Sequence, residues 1–171
     1  MDIICRRPFD FEDDVICAYE AEGVVNTAVL KFPAGHFLPR VMAGACDDVN
    51  QFQPFDTFRS AVKKTGRHLL FGKEKSRQHT AHTEPGGPYW YTRFLNYYGL
   101  TGLAKPTDWF YPIPHWDWKR IYYPDADAVD AIKNSYALHL WNGTIYHEKG
   151  MDKANLNFSD TLIGTLHAKY S

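Results

Sequence analysis

The hydrophobic pattern of this 171-residue chain changes period several times, and this feature constrains its fold class most strongly. Residues 14–20 place apolar side chains on both faces of an extended segment, which predicts a buried central strand. Residues 25–32 predict a second strand, paired antiparallel with the first through a turn at Gly23. From Leu38 to Phe52 the apolar residues recur at helical spacing. The alternation predicts an α/β fold with a mixed sheet and flanking helices.

The rest of the chain continues this alternation. A short helix is predicted to begin at Asp56, to bury Phe58 and Val62, and to end at Gly66. Residues 66–88 are polar and end in EPGGP, which predicts a surface loop. The remaining predicted elements are a helix from Tyr89 to Tyr98, a helix capped by Asp125, a strand from Tyr136 to Trp141 and a terminal helix capped by Ser159.

Length and charge limit the classes of function. We expect residues 1–171 to form a single domain. Nineteen basic and 20 acidic residues leave a net charge of −1, which argues against nucleic-acid binding. The apolar runs are shorter than the roughly 20 residues of a transmembrane helix. The three cysteines show no CxxC spacing, and no secretory signal opens the chain, so the sequence predicts a cytoplasmic protein.

Aromatic residues make up 16% of the chain, and many lie beside polar groups. The segment around Trp109, Trp116 and Trp118 is interrupted by prolines, which predicts an irregular segment lying over a core. Its rings could stack on the faces of sugars, or they could simply cover the core.

The strand YALHLWN contains the clearest candidate for chemistry. By alternation His139 and Trp141 share one face close to the end of the strand, where open α/β sheets bind ligands. A neutral imidazole at this place can ligate a metal or bind a phosphate, but it can also be a structural core histidine. At the start of the chain, Asp2 precedes a short apolar segment, Ile3-Ile4-Cys5, which predicts part of a buried strand.

Five segments carry a resemblance to a known family. In order they are DIICRRPFDFEDDVICAYE, VNTAVLKFPAGH, GGPYWYTRFL, FYPIPHWDW and YALHLWNGT. The chain resembles the carboxyl-terminal two-thirds of DXD-motif glycosyltransferases of GT-A fold, the group of capsular polysaccharide synthesis and α-1,4-glycosyltransferase-type enzymes. In that family a strand ends in Asp-x-Asp and continues into a basic-Pro-hydrophobic-Asp turn, as Arg7-Pro8-Phe9-Asp10 does here. Asp2 matches the last aspartate of the motif.

The resemblance implies a role for each matching residue. Asp2 and His139 would be the protein ligands of Mn²⁺ or Mg²⁺, a cation that neutralises a departing nucleoside diphosphate. Residues that would border the bound donor are Trp141, Asn142, Glu20, Asn26, Gly86 and Gly87, and those that would bind the acceptor are Trp109, Trp116 and Trp118. No residue is assigned as the catalytic nucleophile.

The function implied is transfer of a sugar from a nucleotide-sugar donor to a carbohydrate or glycolipid acceptor, with retention of configuration. The first aspartate of the motif and the upstream nucleotide-binding half have no counterpart, so we expect the chain to be inactive by itself. Two alternatives remain: a carbohydrate-binding module that uses exposed aromatic rings without chemistry, and an inactive truncated fragment. A glycoside hydrolase would need two carboxylates across a cleft, and the sequence offers no convincing pair.

Overall fold

The computed structural model describes residues 2–73, 86–147 and 158–170. The described residues divide into two compact units, Met1–Asp10 with Pro106–Ser171, and Phe11–Lys105. Helices occur together with two separate two-stranded sheets, which confirms the predicted mixture of α and β elements; in place of the predicted mixed sheet, both strand pairs are antiparallel. None of the helices in the described ranges has both the length and the apolar character needed to cross a membrane. The single domain over residues 1–171 stays a prediction.

The first unit is built on strands from the two ends of the chain. Strand β1 (Ile3–Cys5) pairs antiparallel with β4 (Ala137–His139), which confirms the strand expected at residues 3–5. The strand predicted from Tyr136 to Trp141 is shorter than expected, because Trp141 adopts a left-handed backbone conformation with φ of 53° and the chain leaves the sheet there. The helices of this unit are α4 (Lys119–Tyr122), α5 (Ala128–Ala131), α6 (Asn142–His147) and α7 (Leu162–Tyr170).

Helix α7 begins later than the sequence suggested. Thr161, rather than Ser159, caps it: the Thr161 hydroxyl accepts the N–H of Gly164 at 3.2 Å. Leu162 and Leu166 are buried, as the helical spacing predicted. Gly164 lies so close to the carbonyl of Phe158 that a Cβ there would overlap it, which explains a glycine inside the helix.

The second unit contains a short hairpin and three helices. Strand β2 (Tyr19–Ala21) pairs antiparallel with β3 (Val24–Val25), and Gly23 between them has a φ of 70°. The hairpin and its turn were predicted, and residues 15–18 are all buried as expected. Both strands are shorter than predicted, however, because beyond them the pairing is reduced to isolated bridges such as that between Ile16 and Lys31.

The helices of this unit are α1 (Phe37–Asp47), α2 (Phe58–Phe71) and α3 (Pro88–Tyr97). Helices α1 and α3 share a core with the hairpin, which comprises Cys17, Val25, Leu38, Ala45, Trp90, Tyr91, Phe94 and Leu95. Helix α3 matches its prediction, and Gly99 follows it with a φ of 68°. Helix α1 ends at Asp47, five residues before the predicted Phe52, because the chain turns at Asp48, whose carboxylate accepts the N–H of Asn50.

The prediction for α2 was wrong in its boundaries and in its orientation. Thr57 caps the helix, which continues through Gly66 and ends at Gly72, where φ is 72°. Phe58 and Val62, expected to face the core, are exposed. Since the helix runs to Phe71, it also takes up the first residues of the predicted loop 66–88; residues 74–85 of that loop lie outside the described part of the chain.

Cysteine reactivity tests the placement of the first strand and the core. Cys5 is exposed, whereas Cys17 is fully buried and burial raises the pKa of its thiol. Because the thiolate is the reactive form, we expect a thiol reagent to label Cys5 in the native protein and to reach Cys17 only after unfolding. Mass spectrometry after brief alkylation measures this order. Equal labelling of both thiols under native conditions would contradict the buried hairpin.

Candidate functional site

The pairing of β1 with β4 brings Asp2 next to His139. In the antiparallel register Ile3 lies opposite His139, and the N–H of Leu140 donates to the carbonyl of Asp2 at 2.8 Å. The residue before β1 therefore lies beside the end of β4. Its carboxylate oxygen Oδ2 is 3.3 Å from Nε2 of the imidazole. The two residues that the sequence placed in one site, 137 positions apart in the chain, meet at one end of a strand pair.

The two ring nitrogens of His139 have different partners. Nδ1 accepts the backbone N–H of Trp141 at 3.2 Å, so the proton of the neutral ring is on Nε2 and faces Asp2. The ring is buried, and burial lowers the pKa of His139 while the Asp2 carboxylate acts in the opposite direction. The neutral ring therefore has a defined tautomer, with one nitrogen turned to the only carboxylate beside it in the described structure.

The residues after His139 complete the surroundings of Asp2. The backbone N–H of Asn142 donates to Oδ1 of Asp2 at 3.0 Å, so both carboxylate oxygens have a partner. The indole of Trp141 is buried, its N–H donates to the carbonyl of Ile113 at 2.7 Å, and its ring centroid is 4.1 Å from that of His139. The left-handed conformation of Trp141 turns the chain back so that the amide of Asn142 reaches Asp2.

Tyr122 is a member of this cluster that sequence reasoning missed. Its hydroxyl donates to the carbonyl of Leu140 at 3.0 Å and lies 3.4 Å from Oδ1 of Asn142. Burial, and secondly the negative charge of Asp2, raise the pKa of Tyr122. The sequence holds no signal that separates Tyr122 from the adjacent Tyr123, since the aromatic segment was predicted to be irregular. Only the short helix α4 turns Tyr122 inward and leaves Tyr123 exposed.

The hydroxyl of Tyr122 is expected to contribute to stability. Tyr122→Phe would leave the carbonyl of Leu140 without this donor, which we expect to lower the free energy of unfolding by about 1–2 kcal/mol. Tyr123→Phe is the matched control, because Tyr123 is exposed, and its effect should stay below about 0.5 kcal/mol. Urea denaturation of both variants measures the difference. Equal effects would show that the hydroxyl of Tyr122 is not a structural donor.

The three tryptophans proposed for acceptor binding differ in exposure. Trp116 is 61% exposed and offers an open ring face. Trp109 is half-buried, with its ring 4.9 Å from that of Tyr136. Trp118 is only 4% exposed and packs near Tyr122, so its ring face is not open to a sugar. Of the three, only Trp116 has the exposure that stacking on a sugar requires.

The remaining predicted donor residues lie in the second unit. Glu20 and Asn26 are both buried on the hairpin, and the side-chain amide of Asn26 donates to Oε2 of Glu20. The other end of that amide accepts the N–H of Ala28 at 2.7 Å. The Asn26 side chain therefore fixes a buried carboxylate in a defined position. The structure brings these two residues together, and their role in binding the donor sugar stays a prediction.

Gly86 and Gly87 lead into α3. Gly86 has a φ of 97°, a conformation that side chains disfavour, and Gly87 is the residue before Pro88, the first residue of the helix. Among the described residues, its chain neighbours aside, no atom lies within 4 Å of a Cβ built on Gly86, so the backbone conformation accounts for the glycine. The predicted turn of small residues and proline before a helix is thus present in the structure.

The donor atoms of the first unit fit a hard divalent cation. A carboxylate oxygen and an imidazole nitrogen suit Mn²⁺ or Mg²⁺, and adjacent ligands of an octahedral ion lie about 3 Å apart, close to the separation of Asp2 Oδ2 and His139 Nε2. Within residues 2–73, 86–147 and 158–170, no group of three or more His, Cys, Asp or Glu side chains could hold a metal. Two protein ligands leave most coordination positions to phosphates and water, the usual arrangement for Mg²⁺ with a nucleotide.

Sequence comparison gives independent information on this region. Residues 103–170 match the family described as the alpha 1,4-glycosyltransferase conserved region. The chain is similar to glycosyltransferases. Over 61 residues it is 39% identical to the Homo sapiens protein alpha-1,4-N-acetylglucosaminyltransferase, a stretch that covers 36% of this chain and 16% of that relative. No solved structure matches the chain.

The family match divides the candidate residues into two groups. It contains His139, Trp141, Asn142 and the newly found Tyr122, together with the three tryptophans of the aromatic segment. Asp2, Glu20, Asn26 and the two glycines lie before its first residue. The family match therefore supports sugar transfer through the segment that contains His139. Asp2 lies outside that segment, and the pairing of β1 with β4 brings it to His139.

Proposed function

We propose that this chain is the carboxyl-terminal part of a metal-dependent, retaining glycosyltransferase of GT-A type. The donor would be a nucleoside diphosphate sugar, and the acceptor a hydroxyl of a carbohydrate or glycolipid. The observation that carries this proposal is the approach of Asp2 Oδ2 to within 3.3 Å of His139 Nε2, since the second of these residues lies in the segment that matches glycosyltransferases. In the reaction the bond from the anomeric carbon to the diphosphate oxygen breaks, the acceptor oxygen bonds to that carbon, and the hydroxyl proton passes to the departing diphosphate.

The protein groups have separate tasks in this proposal. A divalent cation, when bound, supplies positive charge beside the departing diphosphate. Asp2 and His139 would hold it; for this the ring proton of His139 would move from Nε2 to Nδ1, and Nδ1 would no longer accept the N–H of Trp141. The backbone N–H of Asn142 keeps the Asp2 carboxylate oriented. Trp116, with its exposed ring, would stack on the acceptor sugar.

Titration with Mn²⁺, followed by electron paramagnetic resonance of the free ion, tests the metal site on the full 171-residue chain. We expect one site, weakened by about tenfold or more in His139→Ala and in Asp2→Asn, because each change removes a direct ligand. Asp130→Asn is the matched control, since the carboxylate of Asp130, on α5, is largely exposed and pairs with Lys133. Its affinity for Mn²⁺ should equal that of the unchanged protein.

The nucleotide is tested on the same samples by calorimetry with UDP. Because the nucleotide-binding half has no counterpart in this chain, we expect UDP to bind only weakly, to need Mn²⁺ for that binding, and to bind no longer in His139→Ala. Unchanged Mn²⁺ affinity in both ligand variants would contradict the proposed metal site. Glycan binding that needs no cation and is lost in Trp116→Ala would instead identify a carbohydrate-binding module.

A further inference from the structure

Helix α2 attaches to its unit by its polar side. Nζ of Lys64 lies 2.7 Å from Oδ2 of Asp56, and Nδ1 of His68 lies 2.9 Å from Oδ2 of Asp48. Both carboxylates are buried, and Lys64 and His68, one turn apart, lie on one side of the helix. These polar contacts fix which side of α2 faces the unit. They also explain why the helical pattern of apolar residues predicted the wrong side.

The apolar stripe of α2 is left in solvent. Phe58, Val62 and Leu69 follow one another at helical spacing and are 86%, 57% and 78% exposed. At the end of the helix Leu70 and Phe71 are also largely exposed. The helix contains no buried residue at all. An exposed stripe of this size on a soluble protein marks a contact surface.

The same helix carries a strong local positive charge. Its residues Phe58–Phe71 contain four Lys or Arg and no Asp or Glu, although the whole chain has a net charge of −1. Arg59, Lys63 and Arg67 are spaced four residues apart, so they form an exposed row along one flank of the apolar stripe. The surface therefore combines an apolar strip of about 20 Å, the length of a 14-residue helix, with a cationic edge.

We propose that α2 is an interfacial helix that binds the surface of an anionic lipid bilayer. The apolar side chains would enter the boundary between headgroups and acyl chains, and the basic row would contact anionic headgroups. This inference is independent of the proposed catalytic function, because it uses none of the residues of the candidate site.

Three features of α2 favour a membrane over other partners. A second copy docked on the same stripe would bring two rows of Arg59, Lys63 and Arg67 together, which like charges oppose. A protein that wraps around a basic amphipathic helix needs its whole circumference, but the side of Lys64 and His68 is already occupied. A nucleic acid would satisfy the basic row and would leave Val62 and Leu69 in water.

Co-sedimentation of the full chain with lipid vesicles tests the proposal. We expect binding to vesicles that contain phosphatidylserine, little binding to pure phosphatidylcholine vesicles, and a loss of binding as salt is raised. Arg59→Glu with Lys63→Glu should weaken binding to the anionic vesicles by about tenfold or more. Arg40→Glu, a reversal of an exposed charge on α1, is the control and should bind much more strongly than that double variant.

The apolar stripe is tested separately. Val62→Ser with Leu69→Ser should weaken binding to the anionic vesicles by about tenfold or more, since these apolar side chains would no longer enter the bilayer. Val129→Ser with Leu103→Ser removes comparable exposed side chains elsewhere and should leave binding unchanged. Circular dichroism of each variant establishes that it is folded.

Several results would overturn the proposal. They are an absence of binding to anionic vesicles, equal binding to neutral vesicles, and retention of binding in the Val62→Ser, Leu69→Ser variant. A dimer in sedimentation velocity that becomes monomeric in that variant, without vesicle binding by the unchanged chain, would assign the stripe to a second copy instead.

Discussion

Trp141→Ala is expected to lower the free energy of unfolding by about 3–5 kcal/mol. The indole is buried, packs against the ring of His139, and donates its N–H to the carbonyl of Ile113. Its removal leaves a cavity and deprives a buried carbonyl of its donor. Trp116→Ala is the matched control: Trp116 is mostly exposed, so its loss should cost less than about 0.5 kcal/mol. Chemical denaturation measures both.

A second substitution at position 141 distinguishes the contribution of the indole ring to stability from that of the backbone conformation. Because Trp141 has a φ of 53°, alanine there pays about 1–2 kcal/mol for the left-handed conformation, and glycine does not. We therefore expect Trp141→Gly to be more stable than Trp141→Ala, the reverse of the usual order inside a regular element. A glycine variant that is less stable than the alanine variant would show that the chain does not turn in this way after β4.

Asn26→Ala is expected to lower the free energy of unfolding by about 3 kcal/mol. The side-chain amide of Asn26 donates to the buried carboxylate of Glu20 and accepts the N–H of Ala28. Without it, a negative charge remains buried and loses its donor. The effect should be read from urea denaturation at neutral pH.

A substitution of Glu20, the partner of Asn26, identifies the cause of the stability lost in Asn26→Ala. Glu20→Gln in the Asn26→Ala background removes the buried charge and should restore about half of the lost stability, since the cost of an unpaired ion exceeds that of an unpaired amide. Glu22→Gln, on an exposed residue of the same hairpin, is the control and should restore nothing. If the control restores as much as Glu20→Gln, the contact between Glu20 and Asn26 is not the source of the effect.

At the candidate site, the alternation of side chains along one strand predicted two neighbouring rings but did not predict their partner. The pattern YALHLWN placed the imidazole and the indole on one face, and in the structure the two rings are neighbours. Their partner Asp2 came from the family resemblance, because nothing in the pattern of residues 2–5 says which strand they join. The strand pair was settled by long-range hydrogen bonds, such as that from Leu140 to Asp2.

For helix α2, the spacing of the apolar residues predicted the wrong buried side. Its apolar spacing is regular, and the expectation that such a stripe faces the core was reasonable. Two buried carboxylates lie under the helix, that of Asp56 beside Lys64 and that of Asp48 beside His68, so the polar side faces inward. The glycines of α2 show the same limit of local patterns. Gly66 was predicted to end the helix, but it lies inside it, at a cost of about 1 kcal/mol. Gly72, with a φ of 72°, follows the last residue of the helix.

Local sequence patterns were enough to predict the mixture of helices and strands, helix α3 with its glycine and proline start, and the hairpin around Gly23. They also carry the resemblance to glycosyltransferases. These features depend on neighbours in the chain, whose spacing and backbone preferences can be read directly. The contact of Asp2 with His139, the inward position of Tyr122 rather than Tyr123, and the exposed apolar side of α2 became visible only in the folded structure. Each of these depends on contacts between distant segments, and local spacing does not encode which distant groups will be within hydrogen-bonding reach.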